Sequence, residues 1–172
     1  MTISIRKCGP ADARTLSLLG QATMLATYAN TVPLGDILQH CEGPHSVATY
    51  AEWLERPDYQ IWLAELETTR APVGYAVLGP AEVDLDLRDA DVELRRIYVL
   101  QDFHKGGLGA RLLDAVIACA KAAGFQRLLL SVYSVNENAI GFYARQGFTK
   151  VGEHKFKVGS NDYDDLILAK DL

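Results

Sequence analysis

The sequence predicts a mixed α/β domain, and two observations lead to that prediction. Runs of β-prone residues interchange with segments of helical periodicity, in the order one strand, two or three helices, three strands, helix, strand, helix and two strands. Strand 92–100, helix 108–123 and strand 127–133 form one βαβ unit, whose crossover we expect to be right-handed and whose strands we expect to be parallel or splayed. With 172 residues and neither an internal repeat nor a linker, the chain is expected to form a single domain over residues 1–172.

The first half of the chain is expected to supply an edge strand, the first helices and a hairpin. Alternating or apolar β-prone runs predict strands at 2–7, 59–66 and 73–78. A helical pattern opens at Pro10, and the segment 31–43, interrupted by prolines and glycines, is expected to be a loop with a short helix. Ser46 is a candidate N-cap for a helix that runs to Glu55.

The second half is expected to add the βαβ unit and the closing strands. An acidic loop over 82–91 precedes strand 92–100, and Gly124 and Gly147 are expected to stop helices 108–123 and 136–146. The apolar stripe of the first of these helices is Leu108, Leu112, Val116 and Cys119. Two further strands are predicted at 148–158 and 165–169.

Composition narrows the functional class. The net charge of −5 argues against nucleic acid as the main partner and fits a cationic small molecule. No apolar stretch is as long as a membrane span and no secretory signal opens the chain, so we expect neither membrane nor export. The three cysteines and four histidines are too scattered for a disulfide framework or a zinc site, which predicts reduced thiols in the cytoplasm and no metal.

The most informative segment is 94–113, where an apolar β-prone run ends in a glycine-rich turn that opens into an amphipathic helix. The first N–H groups of a helix are unpaired and carry the positive end of the peptide dipole. Gly106, Gly107 and Gly109 let a ligand approach the backbone, so the pattern predicts a phosphate or pyrophosphate site. A dinucleotide-binding fingerprint lacks its third glycine here, and the Gly-Lys-Ser/Thr of a P-loop is absent. From this segment alone, a tight turn that binds no ligand remains an alternative interpretation.

A second motif changes that balance. The loop 104–109 follows the pattern Gln/Arg-x-x-Gly-x-Gly/Ala except that His104 stands at the first position. The pattern Asn-x-x-Ala-x-x-Phe/Leu-Tyr-x-x-x-Gly-Phe is matched in full by Asn136, Ala139, Phe142, Tyr143, Gly147 and Phe148. Together these motifs resemble the GNAT superfamily of acyl-CoA-dependent N-acetyltransferases, over about residues 2–170. The runs 92–100, 151–159 and 165–172 are similar to its PaiA-like polyamine acetyltransferases.

The resemblance implies a fold, a co-substrate and a binding site. The sheet would be twisted and mostly antiparallel, with six to seven strands and a splayed central parallel pair. Acetyl-CoA would pair its pantetheine arm with the backbone of Ile97 and Val99, and an N–H near Val99 would polarise the thioester carbonyl. Asn136 would bond the cofactor arm and Arg145 would meet the 3′-phosphate, although a helix N-cap and a solvated arginine are open alternatives. The implied cofactor-binding residues are Ile97, Tyr98, Val99, His104, Lys105, Gly106, Gly107, Leu108, Gly109, Ala110, Asn136, Tyr143 and Arg145.

The resemblance further implies direct transfer from acetyl-CoA to an amine within a ternary complex. Tyr143 would donate a proton to the departing thiolate; its alternative is a core aromatic. Glu93 is the candidate general base, acting directly or through water, and by period two it should share a face with Arg95, Ile97 and Val99. Its alternative is a surface ion pair with a neighbouring arginine.

The acceptor is expected to be a small primary amine, with spermidine or spermine as one option. Acidic residues before two strands would attract a polycation unless they are simply solvated loops: Asp84, Asp86, Asp89, Asp91, Asp162, Asp164 and Asp165. Tyr28, Trp53 and Tyr59 are candidates for the acceptor pocket. Acetylation of a protein N-terminus or lysine and a non-catalytic acyl-CoA-binding module are the alternatives. Homodimers are common in the superfamily, so a homodimer is also an expectation.

Overall fold

The computed structural model describes residues 2–172, which form one seven-stranded sheet flanked by five α-helices. The strands are β1 (Ile3–Lys7), β2 (Gln60–Leu66), β3 (Pro72–Gly79), β4 (Asp91–Val99), β5 (Arg127–Tyr133), β6 (Thr149–Val158) and β7 (Asn161–Asp171). The helices are α1 (Ala13–Tyr28), α2 (Leu34–Glu42), α3 (Val47–Glu55), α4 (Leu108–Ala122) and α5 (Glu137–Arg145). The strand order is β1-β2-β3-β4-β5-β7-β6, and only β4 and β5 are parallel. The predicted mixed, mostly antiparallel sheet with β1 at an edge is therefore confirmed.

Helices cover both faces of the sheet. On one face α4 buries most of the predicted stripe: Leu108, Leu112 and Val116 are buried against β3 and β4, and Cys119 is partly buried. On the other face α1 and α3 bury Leu16 and Tyr50 against β2 and β3. The second face is where the loop-like segment 31–43 contributes α2, which begins after Pro33 and ends at Gly43.

The parallel pair splays, as predicted. Register between β4 and β5 extends only over Asp91–Glu93 opposite Arg127–Leu129, although both strands continue for several residues. A bidentate ion pair holds the closed end, because Arg127 Nε lies 2.7 Å from Asp91 Oδ1 and the two side chains are buried. Beyond Glu93 the β5-facing edge of β4 has no strand partner, and a gap opens between the strands.

A β-bulge in β4 corrects one expectation. Leu94 pairs with Leu78 and Arg96 pairs with Val77, so Arg95 is an extra residue on β4. The bulge reverses the alternation: Glu93, Arg96 and Tyr98 face α1–α3, whereas Ile97 and Val99 pack on the α4 face. The expectation that Glu93 shares a face with Ile97 and Val99 is therefore wrong, because strict period two fails across a bulge.

Two elements, β7 and α1, begin at residues that differ clearly from the predicted ones, and each difference has a simple cause. β7 begins at Asn161 rather than at residue 165, because polar residues pair with β6 in a long hairpin that a search for apolar runs overlooks. The helical pattern at Pro10 is first a 3-10 turn, Pro10–Asp12, and α1 begins only at Ala13.

Candidate active site

The glycine-rich turn forms an open cradle at the start of α4. Residues Gln101–Gly106 make a 3-10 turn rather than an irregular loop, and Gly107 follows with φ +72°, a left-handed conformation that favours glycine. A Cβ added at Gly106 or Gly107 would meet nothing within 4 Å, so the space in front of the turn is open. The first N–H groups of α4, from Leu108 to Ala110, precede the first helical bond of Arg111 and face no acceptor of their own helix. The cradle fits a diphosphate, and Lys105 adds a positive charge beside it.

The free edge of β4 leads from this cradle into the gap. Leu100 N–H donates to Val73 O of β3 at 2.9 Å, so the preceding Val99 directs its backbone groups away from β3, and by alternation so does Ile97. The Val99 carbonyl is 2.7 Å from His104 Nε2, which ties the turn to the strand end. The structure therefore offers unpaired strand backbone where the sequence analysis expects a pantetheine arm.

Tyr143 of α5 lies on the α4 side of the gap and is 8% exposed. Its ring packs against Phe142 and Phe148, with ring centroids 5.3 Å and 5.6 Å away. Two effects raise the pKa of the Tyr143 phenol above its usual value: burial, which is the larger, and the neighbouring Tyr98. The group is thus a protonated phenol at ordinary pH, and it is also a core aromatic.

Asn136 and Arg145 occupy the two ends of α5. Asn136 caps the helix, because its side-chain oxygen accepts from Ala139 N–H at 3.2 Å. Arg145, in the last turn, is exposed. The cap leaves the amide nitrogen of Asn136 available as a donor.

Glu93 lies in a polar cluster on the other face of the sheet. Its carboxylate accepts from Glu82 N–H at 2.7 Å and from Arg95 Nη1 at 3.3 Å, and Arg95 also pairs with the Glu82 carboxylate at 2.7 Å. The ion pair with a neighbouring arginine exists, but Glu93 is buried rather than at the surface. Burial raises the pKa of the Glu93 carboxyl above its usual value, and the positive charge of Arg95 opposes that shift.

A cavity of about 400 Å³ lies over the gap on the α1–α3 face. Both diverging strands contribute to its walls, with Glu93 and Tyr98 from β4 and Ser131 and Tyr133 from β5. Its lining also includes Met24, Tyr28, Val32, His40, Pro44, His45, Thr49, Trp53, Arg95, Arg96, Phe156, Lys157, Val158, Tyr163 and Asp165. We call it the acceptor cavity.

Of the three aromatic residues that the sequence analysis proposed for the acceptor pocket, two line the cavity and one does not. Tyr28 and Trp53 line it, whereas Tyr59 does not and instead stacks on Trp53 at 4.9 Å. Among the acidic residues, Asp165 lines it, but Asp91 is buried in its pair with Arg127 and cannot recruit a polycation. The pattern of charge alone did not separate a structural aspartate from a cavity aspartate.

For two groups of the acceptor cavity the sequence analysis fell short: it named Asp165 only as an acidic residue that would attract a polycation, and it did not name Arg96 as a site residue. Asp165 accepts a hydrogen bond from Ser131 Oγ at 2.7 Å, the same hydroxyl lies 2.7 Å from His154 Nε2, and burial raises the pKa of Asp165. Arg96 lies against α3, with its guanidinium carbon 4.6 Å from the centroid of the Trp53 ring. Neither belongs to a motif, and only the fold brings them together.

Within residues 2–172, no group of three or more His, Cys, Asp or Glu side chains is arranged to hold a metal ion. None of the helices in this part of the chain combines the length and apolarity that crossing a bilayer requires.

The fold and the site together define a protein that binds a nucleotide-linked acyl donor at a splayed sheet. Comparison with known proteins gives the family: the model of the acetyltransferase (GNAT) family matches residues 31–148, and the chain belongs to that family. It is therefore an acyl-CoA-dependent N-acetyltransferase with acetyl-CoA as co-substrate.

Individual relatives agree with that assignment. An uncharacterised N-acetyltransferase of Mycobacterium tuberculosis is 30% identical over 94% of this chain and 98% of its own length. An L-methionine sulfoximine/L-methionine sulfone acetyltransferase of Pseudomonas aeruginosa is 30% identical over 89% of this chain and 84% of its own length. The crystal structure of PaiA N-acetyltransferase from Thermoplasma acidophilum in complex with coenzyme A has the same fold, with a TM-score of 0.81 over all of both chains at 22% identity.

Proposed function

We propose that this chain, acting as a single domain, transfers the acetyl group of acetyl-CoA to the primary amine of a small molecule bound in the acceptor cavity. One observation carries the proposal: the cavity is walled by the same two diverging strands whose gap faces the glycine cradle. A volume of about 400 Å³ is in the range of small-molecule sites, which favours a metabolite over a protein acceptor.

The proposed binding of acetyl-CoA uses the residues that the sequence analysis named. The N–H groups from Lys105 to Ala110 hold the diphosphate, the backbone of Ile97, Tyr98 and Val99 accompanies the pantetheine arm, and Arg145 meets the 3′-phosphate. Asn136 bonds the arm through the amide nitrogen that its helix cap leaves available. Bound acetyl-CoA supplies an activated thioester.

The proposed proton transfers lie on opposite faces of the sheet. Glu93, directly or through a water, takes a proton from the acceptor ammonium, because burial moves its pKa in the direction that a base near neutrality needs. Tyr143 gives its proton to the sulfur as the carbon–sulfur bond breaks and the carbon–nitrogen bond forms. The ammonium loses two protons in all, one to Glu93 before the attack and one from the nitrogen of the tetrahedral intermediate. One of them replaces the proton that Tyr143 gives to the sulfur and restores the phenol, and the other passes to solvent.

Two observations bear on which amine is the acceptor, and they point in different directions. The likeness to PaiA favours a polyamine, but three cationic side chains line the cavity, Arg95, Arg96 and Lys157, against the two carboxylates of Glu93 and Asp165. This balance does not favour a polycation. Cytoplasmic location and a homodimer complete the proposal, and gel filtration with light scattering tests the dimer.

The proposed function is tested by incubating the protein with acetyl-CoA and a panel of amino acids, monoamines, polyamines and peptides. Thiol release and the mass of the acetylated product are measured together. Acetylation of small amines is expected. Transfer to peptides alone would favour a protein acetyltransferase, and binding without any transfer would favour a non-catalytic module.

A matched pair of variants at Gly109 tests the cradle. A Cβ there would lie 3.6 Å from the Phe142 ring, which is an ordinary contact, so Gly109→Ala is expected to keep its affinity for coenzyme A. Gly109→Glu places a negative charge in the first turn of α4 and is expected to weaken that affinity at least a hundredfold by calorimetry. Equal affinity of the two variants would contradict the diphosphate assignment.

A further inference from the structure

Arg96 is the one cationic side chain in the acceptor cavity whose buried guanidinium nitrogen is left without a partner. Its Nη1 is inaccessible to water and makes no hydrogen bond within residues 2–172, and no other buried side-chain nitrogen or oxygen of that range is in this state. A buried polar group without a partner costs free energy, so it is usually paired or functional. The unpaired Nη1 of Arg96 therefore requires an explanation.

The contrast with the other shielded arginines sharpens this point. Arg95 is paired with Glu82 and Glu93, and Arg127 is paired with Asp91. No carboxylate among residues 2–172 lies within ion-pair distance of Arg96. Arg6, Arg56, Arg95 and Arg127, the other arginines that are partly or fully buried, all pair with carboxylates, whereas Arg96 does not.

The guanidinium is held in place by groups that do not neutralise it. Its carbon lies 5.1 Å from the centroid of the Tyr50 ring and 4.6 Å from that of Trp53, and Nη2 donates to Pro44 O at 2.8 Å. Aromatic faces and a carbonyl hold a cation in position but leave its net charge intact. A preorganised cation loses little freedom when an anion arrives.

The two histidines beside Arg96 add no competing charge. Burial, which is the larger effect, and the positive charge of Arg96 together lower the pKa of His40 to about 4 and that of His45 to about 2. Both rings are therefore neutral at physiological pH. The field in this part of the cavity is that of one positive charge.

We propose that Arg96 binds a carboxylate of the acceptor, so that the amine substrates of this enzyme are free amino acids. The proposal rests on the acetyl transfer proposed above and names its substrate class. A guanidinium matches a carboxylate in charge and donates charge-assisted hydrogen bonds to it. Apolar and aromatic groups complete the cavity and accommodate an amino-acid side chain, among them Met24, Val32, Tyr133 and Val158.

The first test compares matched substrates on the wild-type enzyme. Each L-amino acid is assayed beside its primary amide and beside the amine that lacks the carboxyl group, with spermidine and spermine in the same series. We expect kcat/KM for the preferred amino acids to exceed that for their amides at least thirtyfold. Amino-free carboxylic acids are expected to inhibit competitively against the amine, and the corresponding alcohols are not.

The second test removes the charge and keeps the packing. Arg96→Met preserves an apolar stem against Tyr50 and Trp53, and it is expected to raise KM for amino acids at least thirtyfold while the amides change less than threefold. Arg96→Lys is expected to recover part of the loss. Lys121→Met, which removes an exposed cation in the last turn of α4, outside the acceptor cavity, is the control for the loss of one positive charge and is expected to change KM less than threefold. Melting temperature and calorimetric affinity for coenzyme A show whether each variant is folded.

The outcomes separate this inference from the proposed function. Equal turnover of acids and amides, a preference for polyamines, or a KM for amino acids that Arg96→Met leaves unchanged would overturn the carboxylate assignment and leave acetyl transfer intact. Failure to acetylate any amine would overturn the proposed function itself. If Arg96→Met does not fold, the comparison of acids with amides and the inhibition by amino-free acids still decide the question.

Discussion

Tyr143 combines a packing role in the core with the proton-donor role that we propose for it. Its ring is part of the apolar core under α4, and its phenol is close enough to Tyr98 for that hydroxyl to influence its pKa. Burial that stabilises the core also keeps the phenol protonated, because the phenolate would lose its solvation. A core position therefore does not compete with the role of proton donor.

Replacing Tyr143 by Phe is expected to lower kcat about a hundredfold and to leave the Kd for coenzyme A within twofold. The ring packing is retained and only the donor is lost, which is the typical scale of general acid catalysis. Because the pKa of Tyr143 is raised, the wild-type rate should show no loss of this acid up to pH 9.5. Steady-state kinetics and calorimetry provide both numbers, and an unchanged kcat would leave Tyr143 with a packing role only.

Arg145 allows a test in which the ligand, rather than the protein, provides the control. Arg145→Gln is expected to weaken binding of coenzyme A about tenfold, because one charge-assisted contact to the 3′-phosphate is lost. Binding of 3′-dephospho-coenzyme A should be the same in both proteins. Should both ligands weaken equally by calorimetry, Arg145 would act on the helix and not on the phosphate.

The residues that the sequence could identify are those that belong to a local motif. Gly107, Asn136 and Tyr143 lie within two short segments, and the structure puts them around one gap. Arg96 and Asp165 lie on different strands. No motif marks Arg96, and the acidic pattern that includes Asp165 does not distinguish it from the structural Asp91. Their surroundings depend on which elements cover each face of the sheet, which a single sequence does not state.

At the scale of elements, the site depends on how β4 and β5 separate. The strands are held together by the buried pair of Asp91 and Arg127 at one end, and the bulge at Arg95 changes the direction of the side chains beyond it. The βαβ unit was predictable from the order of strand, turn and helix, and its splay followed from the resemblance to the GNAT superfamily. The bulge was not, because it arises from register with β3 and leaves no mark in the alternation of residue types.

Asp91→Asn is expected to lower the free energy of unfolding by about 3 kcal/mol, because it leaves the buried Arg127 guanidinium without a counter-charge. Arg127 holds the pKa of Asp91 below its usual value, so the pair stabilises the fold above the ordinary aspartate pKa of about 3.9 and ceases to do so as the pH falls through the lower folded value. Urea unfolding should therefore show a constant difference between the two proteins from pH 7 to about pH 4.5, and a shrinking one below. A difference that does not change with pH would mean that packing, not charge, holds the strands.

The whole molecule places its two proposed binding sites on opposite faces of one sheet. The glycine cradle and Tyr143 are on the α4 side, the acceptor cavity is on the α1–α3 side, and the gap between β4 and β5 is where they meet. The residues proposed for the donor and those that line the cavity share only Tyr98. An arrangement of this kind suits simultaneous binding of donor and acceptor, with no need to store the acetyl group on the protein.

The side chains that could store an acetyl group are poorly placed for it. Cys8, Cys41 and Cys119 are free, and none of them lines the acceptor cavity. Burial raises the pKa of the Cys8 thiol to about 12, so it is scarcely ionised at neutral pH. Ser131 does line the cavity, but its hydroxyl donates to Asp165.

We therefore expect intersecting initial-rate patterns for acetyl-CoA and the amine, as direct transfer requires. A variant with all three cysteines replaced by alanine is expected to keep kcat within threefold. Incubation with acetyl-CoA alone should add no acetyl mass to the protein, whereas parallel patterns together with an acetylated Ser131 peptide would replace direct transfer by a two-step mechanism.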